Sequence, residues 1–146
     1  MKLKFIFLGK KNSELFNPFI DQYLQRINGY IKSDLLFFSE KNKIKLEKKI
    51  LGHIKKGDYF IVLDEKGKYM NTLNYAKFIR EKTQNYGSVI FLVGGAFGIP
   101  KPIINKCHFL FSLSEMTFPH LIARLILVEQ TYRAVTILNN HPYHHE

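Results

Sequence analysis

The run Val89–Ile90–Phe91–Leu92–Val93–Gly94–Gly95–Ala96–Phe97–Gly98 decides how the rest of this chain is read. Its first five residues are apolar, without polar alternation, which describes a strand buried on both faces. Three glycines over the next five positions allow a sharp turn and a close approach of backbone. In an open α/β sheet, ligands bind beyond the carboxyl ends of such strands. A glycine pair after a strand is also ordinary turn chemistry. The run therefore marks a place to look and does not by itself define a ligand.

Working outward, apolar runs predict further strands at Leu3–Leu8, Ile31–Phe38, Tyr59–Leu63 and His108–Leu113. Helical spacing appears in Glu14–Ile27, Lys41–Lys56, Thr72–Glu81 and His120–Leu138, with a short helical turn at Pro100–Lys106. Ser13 is the expected N-cap of the first helix and Asn28–Gly29 its end. The basic helix should bury Ile44, Leu46, Ile50, Leu51 and Ile54, and the next one Leu73, Ala76, Phe78 and Ile79. The last should bury a stripe of Leu121, Leu125, Val128, Tyr132 and Val135. Strands and helices alternate with short connections, which predicts a parallel α/β sheet in a single domain, residues 1–146.

With 146 residues, nearly half of them apolar, the chain can build a core without disulfides or metals. The single cysteine, Cys107, excludes an internal disulfide and fits a reducing, cytoplasmic setting. It falls in an apolar run and reads as a buried, inert thiol. The first apolar run stops at Leu8, too short to span a bilayer or serve as a secretion signal, so no membrane association is expected. The net charge is +10 and unevenly placed: residues 1–57 carry 13 Lys and Arg against 5 Asp and Glu, the remainder 9 against 7. Such an excess suits a polyanionic partner, nucleic acid first, although a lysine-rich helix face also occurs merely solvated. The lysines of 41–56 are its centre, among them Lys45, Lys48 and Lys49.

Three strand ends, Leu63–Gly67, Gly94–Gly98 and Ser112–Pro119, should open on one edge of a parallel sheet. A pocket built from them would consist largely of backbone and small or apolar side chains, which suits a nucleoside-type cofactor. No phosphate-binding P-loop, dinucleotide fingerprint, zinc-ligand spacing or nucleophile elbow is present. The tail histidines His141, His144 and His145 lack a fourth ligand at recognisable spacing, so no metal is expected. His120, after Pro119 at a helix start, is a candidate base, RNA contact or cap. Arg124 and Arg133 are candidates for holding phosphate or an acidic partner. Glu129 stands four residues before Arg133, the spacing of a helical ion pair.

Taken in order, Val93–Gly98, Leu113–Ser114–Glu115–Met116–Thr117–Phe118–Pro119–His120, Tyr132–Arg133–Ala134 and His141–Pro142–Tyr143–His144 resemble the ribosomal RNA large subunit methyltransferase H family, of the SPOUT superfamily. The resemblance runs from end to end, and the ordered set is specific although each piece alone is weak. It implies an α/β sheet with a C-terminal trefoil knot that forms an S-adenosyl-L-methionine pocket. Periodicity and composition say nothing about a knot, which is rare among folds. Leu63, Gly94, Gly95 and the run Leu113, Ser114, Glu115, Met116, Thr117 and Phe118 would contact the cofactor. These positions coincide with the three strand ends chosen on physical grounds.

The resemblance further implies a homodimer in which the C-terminal tail of one subunit completes the pocket of the other. The reaction would be methylation of N3 of a pseudouridine in 23S rRNA of the assembled 70S ribosome. Lys45, Lys48, Lys49 and Arg124 would then meet RNA, with Tyr143 and the tail histidines near the target base. N3 must lose a proton, for which His120, His141, His144 and solvent are all candidates. One departure stands out: His145 occupies a place where many family members have Arg or Lys. Two other readings are a tRNA methyltransferase of the same superfamily and a non-catalytic RNA-binding assembly factor. Cofactor binding separates the last from both enzymes.

Overall fold

The glycine-terminated run forms strand β4 (Ser88–Val93), and Val89 to Val93 are all buried. Val89, Phe91 and Val93 enter one core layer, and Ile90 and Leu92 enter the other. The computed structural model describes residues 2–11 and 15–145. Their order is β1 (Lys2–Leu8), α1 (Asn17–Asn28), β2 (Ser33–Phe38), α2 (Lys43–Gly52), β3 (Tyr59–Lys68), α3 (Thr72–Asn85), β4, α4 (Lys101–Ile104), β5 (Phe109–Phe111) and α5 (His120–Leu138). The five strands lie in the order β2-β1-β4-β3-β5, and every pairing is parallel. Phe91 is opposite Phe5 on one side and Ile61 on the other, and the Phe5 and Phe91 rings stack at 5.3 Å.

One face of the sheet is covered by α1, α3 and α5, which bury Ile20 and Ile27, Tyr75, Ala76 and Ile79, and Leu127 and Val128 against Phe5, Phe7, Ile61 and Phe91. The other is covered by α2 and α4 through Leu46, Ile50 and Ile103. Both faces are therefore dry, which is why the central strands lack polar alternation.

Several boundaries differ from the sequence reading. The helix expected over Glu14–Ile27 starts at Asn17 with Phe16 in the cap position, while Ser13 lies outside the described residues. Helix α2 is shorter than Lys41–Lys56: the Asn42 side chain caps it by accepting from the Lys45 N–H at 3.0 Å, and it ends at Gly52. Ile44 is consequently 66 % exposed and outside the apolar face, and Ile54 lies past the helix end. In α3, Leu73 points outward and Tyr75 takes the inner position.

The segment Leu63–Gly67, expected as a loop, is part of a strand. Strand β3 continues through it to Lys68, with an irregularity, so that both Leu63 and Lys68 stand opposite Phe111. A Cβ on Gly67 would sit 2.5 Å from the Leu110 carbonyl oxygen, so only glycine lets β5 come this close. Helix α5 is buried more widely than a stripe, through Arg124, Thr131, Ala134 and Thr136 as well as Val128, Tyr132 and Val135. It packs against α1, α3 and the sheet together, which calls for burial nearly all round.

Candidate functional site

Because all strands are parallel, their carboxyl ends share one edge of the sheet. Where β3, β4 and β5 end there is a cavity of about 280 Å³, lined by Leu63, Asp64, Glu65, Val93, Gly94, Gly95, Phe111, Ser112, Leu113, Met116, Thr117, Phe118, His120 and Ala123. The three strand ends singled out in the sequence are thus brought together. Of the residues expected there, Ser114 and Glu115 do not line the cavity. The Ser114 hydroxyl accepts from the Met116 N–H at 3.0 Å and its carbonyl from the Ser112 hydroxyl at 2.6 Å, so Ser114 shapes the turn. Glu115 is exposed.

The segment 112–118 is fastened to β3. The Ser112 N–H donates to the Lys68 carbonyl at 2.9 Å, and the Thr117 hydroxyl donates to Glu65 at 2.6 Å. Opposite it, the glycine loop is pulled against β1: a Cβ on Gly95 would lie 2.5 Å from the Leu8 carbonyl oxygen. Gly98, at φ 73°, turns the loop back so that its N–H donates to the Gly95 carbonyl at 3.0 Å. The wall is therefore main chain and apolar surface, with the carboxylates of Asp64 and Glu65 at the rim. Such a lining offers amide donors and acceptors to a planar heterocycle and a favourable field to a cation.

A second, larger crevice of about 640 Å³ opens where β1 and β2 end. Leu8 to Lys10, Phe38 to Lys41, Lys43, Leu46, Gly95 to Lys101, His120 and Arg124 line it. Gly95 and His120 belong to both cavities. The sequence reading missed this crevice; Gly9 after a strand, beside a lysine-rich segment, was the signal for it.

Arg124 is not the surface cation expected for RNA. It is 2 % exposed, and Nη2 donates to the Leu8 carbonyl at 2.8 Å and Nη1 to that of Lys10 at 3.3 Å. Its guanidinium also lies 5.3 and 5.4 Å from the ring centres of Phe7 and Phe37. The arginine fastens the end of β1 to α5, and burial lowers its pKa. His120 is half-buried at the start of α5; burial first, and the Arg124 charge second, hold its pKa below the ordinary 6.5. Its imidazole is therefore unprotonated at neutral pH and able to accept a proton. Lys45 and Lys48 are exposed on α2, and exposed Lys49 sits 4.7 Å above the Phe38 ring.

The tail residues are elsewhere. His141, Tyr143 and His144 follow the far end of α5, a helix roughly 27 Å long at 1.5 Å per residue, away from His120. The Tyr143 hydroxyl donates to Glu129 at 3.0 Å, and its ring packs on Tyr132 at 4.6 Å. Burial, then hydrogen bonds to Tyr23 and Glu129, raise its pKa. Arg133 pairs with Glu129, Nε to Oε1 at 3.0 Å, as the i,i+4 spacing predicted, and its Nη1 donates to His144 Nδ1 at 3.2 Å. His141 Nδ1 accepts from the Tyr143 N–H at 3.2 Å. Within one chain the cavity and the tail are not brought together.

Among the described residues no group of three or more His, Cys, Asp or Glu side chains is placed to hold a metal ion, and no helix is long and apolar enough to cross a membrane. Cys107, expected to be buried, is only half-buried, and what burial it has raises its thiol pKa.

Fold and cavity define an α/β protein whose cavities open at the carboxyl edge of a parallel sheet. A family model described as predicted SPOUT methyltransferase matches residues 1–144, and the chain belongs to this methyltransferase family. Relatives named ribosomal RNA large subunit methyltransferase H include those of Parabacteroides distasonis, 36 % identical over the whole of both chains, and Acholeplasma laidlawii, 38 % identical over 99 % of each. Among solved structures, a probable methylase family protein from Haemophilus influenzae superposes with a TM-score of 0.58 at 10 % identity, over 99 % of this chain and 70 % of that one. That likeness concerns the fold.

Proposed function

We propose that this methyltransferase carries a methyl group from S-adenosyl-L-methionine to N3 of a pseudouridine in 23S rRNA of the assembled 70S ribosome, acting in the cytoplasm as a homodimer. The observation that carries this reading is the full-length relation to proteins named for methylating large-subunit ribosomal RNA. The backbone-walled cavity formed by Leu63, Gly94, Gly95, Leu113 and Met116 to Phe118 supports it, since these positions match the expected cofactor site.

The cofactor supplies an electrophilic methyl group on a sulfonium. Main-chain groups of Leu113, Met116 to Phe118 and Gly94–Gly95 would hold its adenine, and the rim carboxylates Asp64 and Glu65 favour its positive charge. The protein's share of the reaction is then placement and removal of the N3 proton. His120 is the base this chain itself puts at the cavity, unprotonated at neutral pH. His141, Tyr143 and His144 would reach a cavity only in a second copy. A twofold pairing that sets α5 antiparallel to its counterpart brings the tail end of one subunit to the cavity end of the other. Exposed Leu15, Phe19 and Ile122, at the start of α1 and α5, supply apolar surface for such a pairing. A trefoil knot is part of the same reading. It is supported by the route of residues 112–119, hydrogen-bonded to the end of β3 and the residues beyond Leu63 on their way from edge strand β5 to the central helix α5.

The test is methylation of 70S ribosomes and of bulk tRNA by purified protein with labelled S-adenosylmethionine, the modified base being located by mass spectrometry. The reading expects label at one pseudouridine of 23S rRNA. Label in tRNA alone contradicts it.

A further inference from the structure

On the methyltransferase reading, we propose that the 640 Å³ crevice holds the RNA strand bearing the acceptor base, with that base stacked on Phe97 and flanking phosphates on Lys10, Lys41, Lys43 and Lys101. Donor and acceptor must meet at a common wall, since methyl transfer needs the reacting atoms about 3–3.5 Å apart. Gly95 and His120 are that wall, because they line both spaces.

Two observations identify the occupant. Phe97 is 99 % exposed at the tip of the glycine loop, where it serves no core. An exposed aromatic ring among lysines is the pattern that binds single-stranded nucleic acid, the ring stacking on a base and the cations following the backbone. The lining holds four lysines against one carboxylate, Glu40, and that carboxylate already accepts from the Asn42 N–H at 3.1 Å. Lys45, Lys48 and Lys49 do not line the crevice.

The test is fluorescence anisotropy of a labelled uridine heptamer between 50 and 200 mM salt, with variants at exposed positions that leave the core untouched. Phe97→Ala is expected to weaken binding about tenfold through the loss of stacking. Lys41→Ala/Lys43→Ala should flatten the plot of log affinity against log salt by about 1.4, near 0.7 for each phosphate that is no longer neutralised. Lys45→Ala/Lys48→Ala should change affinity less than about twofold if these lysines stand outside the strand's path. Unchanged binding in the crevice variants, a decrease confined to Lys45→Ala/Lys48→Ala, or no binding by the wild-type protein overturns the proposal. Calorimetric titration with S-adenosylmethionine is run alongside and should be the same in all variants. A wild-type chain that gives no cofactor heat contradicts the methyltransferase reading, while the anisotropy result still decides the crevice.

Discussion

The two ends of α5 are built differently. At its start, His120 and Arg124 stand between two open spaces, and one buried nitrogen has no partner among the described residues. At its far end, Tyr143, Glu129, Arg133 and His144 are hydrogen-bonded to one another and packed on Tyr23 and Tyr132. On the proposed reading the open end is the one that receives ligand. Satisfied polar capacity marks the end that is preformed. A preformed tail far from its own cavity is suited to complete the cavity of a second subunit.

The largest way to break this contrast is Gly95→Val. Its Cβ would meet the Leu8 carbonyl oxygen at 2.5 Å, backbone against backbone, so the glycine loop must leave β1. We expect a loss of about 3 kcal/mol of stability and abolished S-adenosylmethionine binding, read by thermal denaturation and calorimetry. Arg124→Met comes next. It removes the hydrogen bonds to the buried Leu8 carbonyl and the part-buried Lys10 carbonyl, at a cost of about 2–3 kcal/mol. For a chain of this length the melting temperature should fall roughly 4–12 °C. A surface arginine would show almost no change, so this variant decides whether the residue fastens the sheet edge or faces RNA.

At the other end, Tyr143→Phe loses a half-buried donor to Glu129 and should cost about 1 kcal/mol. The tail does not line its own cavity, so any change in cofactor affinity would come through the cavity of the second subunit. The smallest effect concerns pH. His120 has a lower pKa in the folded chain than its ordinary 6.5, so between the two values the unfolded chain binds more protons. Stability therefore rises with pH through that window and is lost as pH falls through and below 6.5. His120→Gln should flatten this slope in denaturant titrations between pH 5 and 7. It should also remove the acid limb of the methylation rate if His120 takes the N3 proton.

Much of the sheet was legible because both of its faces are covered. Val89–Val93 has no alternation to misread, and α5 runs from His120 to Leu138, its expected bounds, between Pro119 and Asn139. The cavity was legible too, since parallel strands must end on one edge. What failed depended on partners distant in the chain. Asp64–Glu65–Lys66 reads as a turn, yet β3 continues through it because edge strand β5 pairs with Lys68. Arg124 reads as a helix-surface cation, and nothing local announces the carbonyls of Leu8 and Lys10 that bury it. Ser114 and Glu115 sit inside a run whose neighbours face the cavity, but the turn made by the Ser114 hydroxyl and Met116 N–H points them away. The tail carries no periodicity, so only the folded chain shows Tyr143 on Glu129.

In the proposed homodimer one subunit's tail serves the other's cavity. Co-expression of two inactive chains tests it directly. Met116→Arg puts a cation into the cavity from a position 73 % exposed, leaving the fold and the tail intact. Tyr143→Ala/His144→Ala removes the tail side chains and leaves the cavity intact. Each homodimer should be inactive on ribosomes, while mixed dimers contain one complete site, so co-expressed chains should recover about one quarter of wild-type activity. No recovery in isolated mixed dimers, or full activity of Tyr143→Ala/His144→Ala alone, would show that the tail does not serve the second subunit's cavity.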